Sequence, residues 1–591
     1  MAYTAYEDVG PIPILDSYLI LQDRSHLASL KPSQVQQWTR AKIDELGVVD
    51  MNRIRSLSSV CNAAAPINRT LSHDVLMEIF SHLEPSFERP GQLNVLHVCR
   101  LWRHLLLYST AFWVQVVGGF RDPNRIRPDG VALFHTVLQR TRNSPLTVTL
   151  DYVNLVVAKT LVRHGSHIVS LTITVSPEEL GFVNAWFEQE GMPLLEHLNI
   201  SHCRSGAETS PPKLLLNRTL FPRLRFLRHP IKTLDVTSID AQLQDLSLAG
   251  CDCGVCVLLY RGSQEEVLSL LTGMLERCTS LQTLKLDRIT DSNLQTKDDR
   301  TISLPALRRL CILHRTRISM FLTSLAIPNY CIVELSNGYP VRGGPVRDLF
   351  PHDILAFHQL AAAQRVRARR RVVELSQRQI FWQVFEAYST DGEKRFSVHF
   401  MAFEKHVPRE YRLLLHSMPR LRFLDFQEDA RYMATVLGRV TSGRCVCPQL
   451  EELDVRWLFQ YDSRFEGLER DDEEFASLSP DDNSTSQASH CTPGPNVLSI
   501  FCDYIRRMLL NRAAAGSPLK KLHVRMDRQV VSGEVYVGEE SWEESVLRER
   551  MLARLGPNFE GDLIVSVDEE MSFRDTKTGL VHREVEELRK G

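Results

Sequence analysis

LQTLKL, residues 281–286, is a phrase the chain repeats with little change. Its last three positions alternate as a β-strand does, so two leucines face one way and the polar residue between them faces the other. The first leucine packs from the turn before the strand. Related phrases are IVSLTI at 168, LEHLNI at 195, LRFLRH at 224, IKTLDV at 231, LQDLSL at 243, LRRLCI at 307, LRFLDF at 421, LEELDV at 450 and LKKLHV at 519, and PLTVTLDY at 145 reads as an earlier strand. Starts at 168, 195 and 224, at 281 and 307, and at 421 and 450 fall 26 to 29 residues apart. Self-similarity at that period indicates a solenoid. One unit cannot bury its apolar edge alone, so units must stack. The segments SPEELGFVNAWFEQEGMPL and SQEEVLSLLTGMLERCTS, between phrases, have helical spacing, which predicts strand, loop, helix and return.

Two stretches interrupt the pattern. Residues 313–418 carry no clear phrase; AFHQLAAAQRVRARRRVVELSQRQIFWQVFEAYS, within them, reads as part long helix and part irregular repeat. The basic run RVRARRR, from Arg365 to Arg371, then reads as the solvated face of that helix, with nuclear import or phosphate binding as its other uses. No aromatic residues interleave with it to stack on bases. Residues 463–495, acidic and then rich in Ser, Pro and Asp, have the composition of a disordered insertion.

Ahead of the repeats the texture is helical. Val35, Trp38, Ile43 and Leu46, then Val49, Ile54 and Leu57, predict one or two amphipathic helices over 22–57. CNAAAPINRT breaks that pattern. Leu71, Val75, Leu76, Ile79, Phe80 and Leu83 form the next apolar stripe, which Ser72 caps and Asp74 complements at its positive end. EPSFERPGQ is a loop. Val95, Val98, Trp102, Leu105 and Leu106 then share one face of a second helix.

The unit from Leu71 to Trp113 resembles the F-box. The matching positions are Leu71, Val75, Leu76, Ile79, Phe80 and Leu83, then Val98, Cys99, Arg100, Trp102, Arg103 and Leu105, with the aromatic pair Phe112 and Trp113 closing the unit. Ser72 stands where that family has proline, and the loop is longer by a Pro-Gly. An F-box followed by leucine-rich repeats is similar to the layout of large families of fungal F-box proteins. The resemblance implies that Leu71, Val75, Leu76, Ile79, Phe80, Val98, Cys99, Trp102, Leu105 and Trp113 bind the small Skp linker and, through it, a cullin. The repeats would then hold a target protein for ubiquitin transfer. A unit of about 40 residues is small for a free-standing core. Leaving several large apolar side chains in water costs roughly 1.5 to 3 kcal/mol each, which is an independent reason to expect a partner. The alternative is that these helices cap the solenoid of a repeat scaffold with no ubiquitin role.

The expected fold class is therefore α/β: an amphipathic helical lead-in over 1–64, an F-box-like helical hairpin over 65–116 and an irregular leucine-rich-repeat solenoid over 117–591. The 591 residues are 43% hydrophobic and 24% charged, ordinary for a folded chain. Seventy basic against seventy-two acidic residues leave a net charge of −2, so no global field points to nucleic acid or an anionic membrane. An acidic N-terminus and the lack of an apolar run of about 20 residues predict a cytoplasmic or nuclear protein with no membrane partner.

Thirteen scattered cysteines read as buried apolar residues in a reducing compartment. Cys251, Cys253 and Cys256 lack a regularly spaced fourth zinc ligand, with Cys278 and His229 the nearest candidates. Cys445 and Cys447 form a separate CVC. The sequon at Asn68 is a chance match. There is no glycine-rich phosphate loop, no H-E-x-x-H and no G-x-S-x-G, so neither an enzyme nor a cofactor is expected.

Overall fold

The computed structural model describes residues 18–47, 49–83, 85, 93–125, 129–202, 212–239, 242–250, 264–287, 301–314, 318–337, 349–350, 357–375, 378–401, 407–427, 430–441, 444–457, 497–527, 544–556 and 559–568. The chain divides into two units, residues 1–243 with 251–259, and residues 244–250 with 260–591. The loop over 86–92, the acidic insertion at 463–495 and the cysteines at 251, 253 and 256 lie outside the described residues. Among the described residues, no helix is long and apolar enough to cross a membrane.

The first unit opens with helices α1 (Leu21–Ser29), α2 (Pro32–Leu46) and α3 (Met51–Ala63). The spacing predicts one or two helices here, and the chain makes three. Pro32 starts α2 at a position where a missing N–H costs nothing. Gly47, left-handed at φ +57°, ends it. Asp50 then caps α3 by accepting the Arg53 N–H at 3.0 Å. Leu19, Leu27, Val35, Leu57 and Val60 form the shared core, with Trp38 packed at its edge. Buried Asp23 accepts two hydrogen bonds from Arg53, of 2.6 and 2.8 Å, so its charge is compensated.

Short helices follow: α4 (Pro66–Thr70), α5 (His73–Ser81), α6 (Val95–Val98), α7 (Arg100–Tyr108), α8 (Thr110–Gly118) and α9 (Gly130–Arg140). Four parallel strands then succeed one another in chain order: β1 (Leu146–Leu150), β2 (Ile168–Val175), β3 (His197–His202) and β4 (Phe226–Pro230). Leu171, Leu198 and Leu227 stand opposite one another in register, all buried. Helices α10 (Leu155–Val162) and α11 (Leu180–Glu190) carry the chain back between strands. Asn154 caps the first, accepting the N–H groups of Val156 and Val157. Gly191, at φ +62°, ends the second. The phrase at 231 makes no strand. Directly after Pro230 the chain turns through a 3₁₀ segment, Ile231–Thr233, and Leu234 makes a single parallel bridge to Leu214.

The second unit contains β5 (Asp245–Ala249), β6 (Thr283–Asp287), β7 (Arg309–His314), β8 (Ile332–Asn337), β9 (Arg365–Leu375), β10 (Arg378–Tyr388), β11 (Lys394–Met401), β12 (Phe423–Gln427), β13 (Glu452–Trp457), β14 (Lys521–Asp527) and β15 (Asp562–Asp568). Their order in the sheet is β5-β6-β7-β8-β11-β10-β9-β12-β13-β14-β15. Every phrase that forms a strand here begins two residues before it, and its first leucine is buried: Leu281, Leu307, Leu421, Leu450 and Leu519. The next leucines align into rows, Leu246–Leu284–Leu310 on one side and Leu424–Leu453–Leu522–Leu563 on the other. Helices α12 (Gln264–Arg277), α13 (Val407–His416), α14 (Ala430–Leu437), α15 (Val497–Ala514) and α16 (Glu544–Leu555) connect strands of this sheet.

The segment 356–389, expected to be part long helix and part irregular repeat with Arg365 to Arg371 on the helix face, instead contains an antiparallel pair, β9 with β10, paired from Arg365↔Tyr388 to Leu375↔Arg378. Period decides it. Val366 and Ala368 are fully buried while Arg365, Arg367 and Arg369 project from the opposite face, an alternation of two residues that a helix cannot satisfy. The charged letters dominated the reading and hid the alternation beneath them. After β8 the chain moves to the β9 position and returns through β10 and β11 to pair in parallel with β8. Among the described strands of the sheet only β10 opposes the rest, and an inserted meander of three strands preserves the polarity of its neighbours.

One buried group makes the first unit sensitive to acid. His229 is fully buried, Nδ1 lies 2.7 Å from the Pro230 carbonyl, which takes the ring's N–H, and Nε2 has no hydrogen-bond partner among the described residues. Burial, reinforced by the His202 ring 5.9 Å away, pushes its pKa down to about 3. The unfolded chain binds a proton near pH 6.5 that the folded chain refuses, so this contribution is complete above that pH and is lost as pH falls toward 3. Urea titrations from pH 7 to 4.5 should show the folding equilibrium constant of the native chain dropping about tenfold per pH unit more steeply than that of His229→Asn. Parallel curves would contradict the assignment.

Candidate partner-binding surfaces

Helix α5 begins at Ser72, whose hydroxyl accepts the Val75 N–H at 3.4 Å, so a cap replaces the ring that a proline would supply. Leu76 and Phe80 point inward and are buried. Val75 and Ile79, one turn apart on the other side, remain 45% and 43% exposed. Leu71 is half-buried.

The expected continuous helix over 93–109 is broken at Cys99. Its backbone is extended (φ −155°, ψ 168°), and its Sγ accepts the Trp102 N–H at 3.4 Å, so the buried cysteine caps α7. The break removes Val98 from the face predicted for it: Val98 is 42% exposed, while Leu106 is fully buried and Trp102 and Leu105 are half-buried.

Trp102 is held by its own chain. The indole N–H donates to Asn68 Oδ1 at 2.6 Å, Asn68 Nδ2 donates to the Asn62 carbonyl at 2.6 Å, and the ring meets Phe80 edge-on at 5.1 Å. Asn62 Nδ2 in turn donates to the Val98 carbonyl at 2.7 Å. Helix α3 packs against α4 and α7, which joins the lead-in helices to this region. Sequence reasoning missed Asn62 and Asn68. No apolar periodicity marks them, and Asn68 stood out only as a sequon.

Trp113 has a different environment from the one its place in the motif suggests. It lies on α8, 5% exposed, its N–H donating to the Leu107 carbonyl at 3.3 Å and Arg140 stacked over its ring at 5.1 Å. Phe112 lies edge-on to it at 5.2 Å. Helix α8 packs against α9 and β1, so the helix that carries this aromatic pair joins the N-terminal helices to the first strand. The ten motif residues therefore separate into an open set (Val75, Ile79, Val98), a half-buried set (Leu71, Trp102, Leu105) and a sealed set (Leu76, Phe80, Cys99, Trp113).

A second surface lies on the polar face of the second unit's sheet. Registration brings Cys311, Glu334, Ser397, Glu386, Arg367, Asp425, Asp454 and His523 into one row across adjacent strands. Ion pairs run along it: Arg309–Glu334 at 2.9 Å, Lys394–Glu334 at 3.4 Å, Lys394–Glu386 at 3.8 Å, Arg369–Glu386 at 3.7 Å and Arg367–Asp425 at 2.9 Å. Asp454 closes the row between Arg525 and His523. Burial raises the affinity of Glu334 for a proton, but the hydrogen bond and charge of Arg309, with Lys394 beside it, hold its carboxyl below the usual range. Burial and the charge of Glu386 raise the Tyr388 phenol. Part of the signal for this surface was present in the middle letter of the repeat phrases, at Cys311, Asp425, Asp454 and His523, whereas Glu334, Arg367, Glu386 and Ser397 lie in the stretch without a phrase and only registration brings them into the row.

Cys445 and Cys447 are buried, and burial pushes the Cys447 thiol up to about 12. The Cys447 Sγ donates to the Leu415 carbonyl at 3.2 Å, and fully buried Arg512 donates to the carbonyls of Val446 and Cys447 at 2.8 and 3.0 Å. These groups serve packing. Among the described residues no cluster of three or more His, Cys, Asp or Glu side chains could hold a metal ion. No family model matches the chain, and no curated protein matches it.

The Trp102–Asn68 bond can be isolated by a double-mutant cycle. Trp102→Phe should lower stability by about 1 to 3 kcal/mol, because the Asn68 carbonyl loses its donor. Asn68→Leu in that background should cost less than Asn68→Leu alone. Additive losses in thermal unfolding would show that the bond contributes nothing.

Proposed function

We propose that this chain is a substrate-recognition adaptor of a cullin-type ubiquitin ligase, its F-box-like helices binding a Skp linker and its irregular leucine-rich-repeat solenoid holding a target protein. The carrying observation is the division of the motif. Leu76 and Phe80 anchor α5 from behind, while Val75, Ile79 and, after the Cys99 break, Val98 stand open; Ile67 on α4 and Tyr108 on α7 are exposed as well. The F-box-like part spans 65–116 behind a lead-in over 1–64, and the repeats span 117–591. The chain performs no bond chemistry in this reading; it supplies proximity between a target's lysines and a separately bound conjugating enzyme. It acts in the cytoplasm or nucleus, without a cofactor.

The second reading, a repeat scaffold capped by these helices, is favoured by α8, which packs against β1 and carries the buried pair Trp113 and Phe112. The two readings meet at different helices. A cap needs α8; an adaptor needs the open side of α5.

Full burial of such a side chain contributes about 1.5 to 3 kcal/mol, and Val75 and Ile79 are already more than half covered, so together they contribute about 1.5 kcal/mol or more, roughly tenfold in affinity. Co-expression with a Skp linker should recover the complex, and Val75→Glu with Ile79→Glu should abolish recovery without lowering the thermal midpoint. These two replace the buried Leu76 as probes, since truncating Leu76 opens a core cavity. Undiminished recovery of the linker with the double variant, or none with the native chain, would count against the adaptor.

A further inference from the structure

The charged row on the second unit's sheet has a vertical order. Its carboxylates form the floor: the Glu334, Glu386, Asp425 and Asp454 side chains are 18%, 10%, 5% and 7% exposed. Their cationic partners stand above: Arg309, Lys394, Arg369, Arg367 and Arg525 are 56%, 37%, 32%, 39% and 36% exposed. Arg365, exposed and stacked over the Phe423 ring at 4.5 Å, extends the cationic layer. Solvent therefore meets positive charge although the whole chain is nearly neutral.

We propose that this row is the target-receiving surface of the adaptor suggested above, and that the segment it receives is an acidic peptide lying in extended form across the strands. Charge complementarity carries the choice of occupant. A guanidinium has five donors in a planar fork, so one that leans on a floor carboxylate through part of that fork still presents an edge that matches a second carboxylate. The floor carboxylates hold the cations in place and set their spacing, so little side-chain freedom remains to be lost on binding. Nucleic acid fits less well: among the described residues the row offers no open series of aromatic rings on which successive bases could stack.

Dimensions set the length of the guest. Seven strand intervals separate β7, which bears Arg309, from β14, which bears Arg525. At about 4.8 Å per interval the row spans about 34 Å, the reach of about ten extended residues.

The test uses the full chain bound to its linker, with fluorescence anisotropy of a labelled peptide of about ten residues alternating glutamate and glycine. The glutamate peptide should bind and weaken as salt is raised. A lysine–glycine peptide of equal length should not bind. Arg367→Glu should weaken the glutamate peptide about tenfold or more, equivalent to about 1.4 kcal/mol. Lys520→Ala, outside the row at an exposed strand start, should leave it unchanged. The Val75→Glu, Ile79→Glu chain should lose the linker yet keep the peptide, which separates failure of this inference from failure of the adaptor reading. Absence of glutamate-peptide binding by the folded complex, equal binding of the lysine peptide, or tighter Arg367-dependent binding of single-stranded DNA would each overturn the acidic-peptide assignment.

Discussion

A strand that alternates leucine with a polar residue has one apolar edge it cannot cover, and the sheets of both units answer that constraint in the same way. Each new strand lays its leucines beside those of the last, as Leu424, Leu453, Leu522 and Leu563 do. The backbone marks the same step. The Gln282 carbonyl accepts the N–H groups of Arg308 and Arg309, that of Arg422 accepts those of Glu451 and Glu452, and that of Glu451 accepts those of Lys520 and Lys521. Two donors on one carbonyl fix where the next strand begins, and so fix register. Once register is fixed, the polar letters are no longer free: they form rows, and their charges must be compatible with neighbours about 4.8 Å away.

The N-terminal helices face the same excess of apolar surface without a sheet to extend. Part of it is covered locally, through Phe80 on Trp102 and the hydrogen bonds that run from Trp102 through Asn68 to Asn62. Part is covered by the first strand, through α8. Among the motif residues, what remains open is Val75, Ile79 and Val98. The exposure of those three, beside sealed Leu76 and Phe80 on the same stretch of chain, makes docking onto a partner the economical account proposed for the motif. It also narrows the functional set, since Leu76 and Trp113 act through packing.

The repeated phrase made most of the parallel strands legible because the strand begins two residues after the phrase in each of them except β2, which begins with its phrase at Ile168. The 313–418 region resisted for a physical reason: β9 carries its identity in Val366 and Ala368, two small residues between five arginines, and a basic run reads equally well as a helix face. IKTLDV at 231 misled in the opposite direction, since it has the right letters but follows Pro230 too closely for a helix to return the chain. Among the proposed site residues, the apolar pattern was legible and the exposure of its members was not. Periodicity placed Val98 with Leu106 on one face; the extended backbone at Cys99 sends one outward and the other into the core.

The central claim is that the open side of α5 is a contact surface and the α8 aromatic pair is not. Amide hydrogen exchange of the full chain, alone and with a Skp linker, reads both helices at once. The account predicts added protection over 73–81 and 95–98 on linker binding, with 110–118 unchanged because it is already sealed against β1. Unchanged exchange over 73–81 in a chain that demonstrably binds the linker would contradict it.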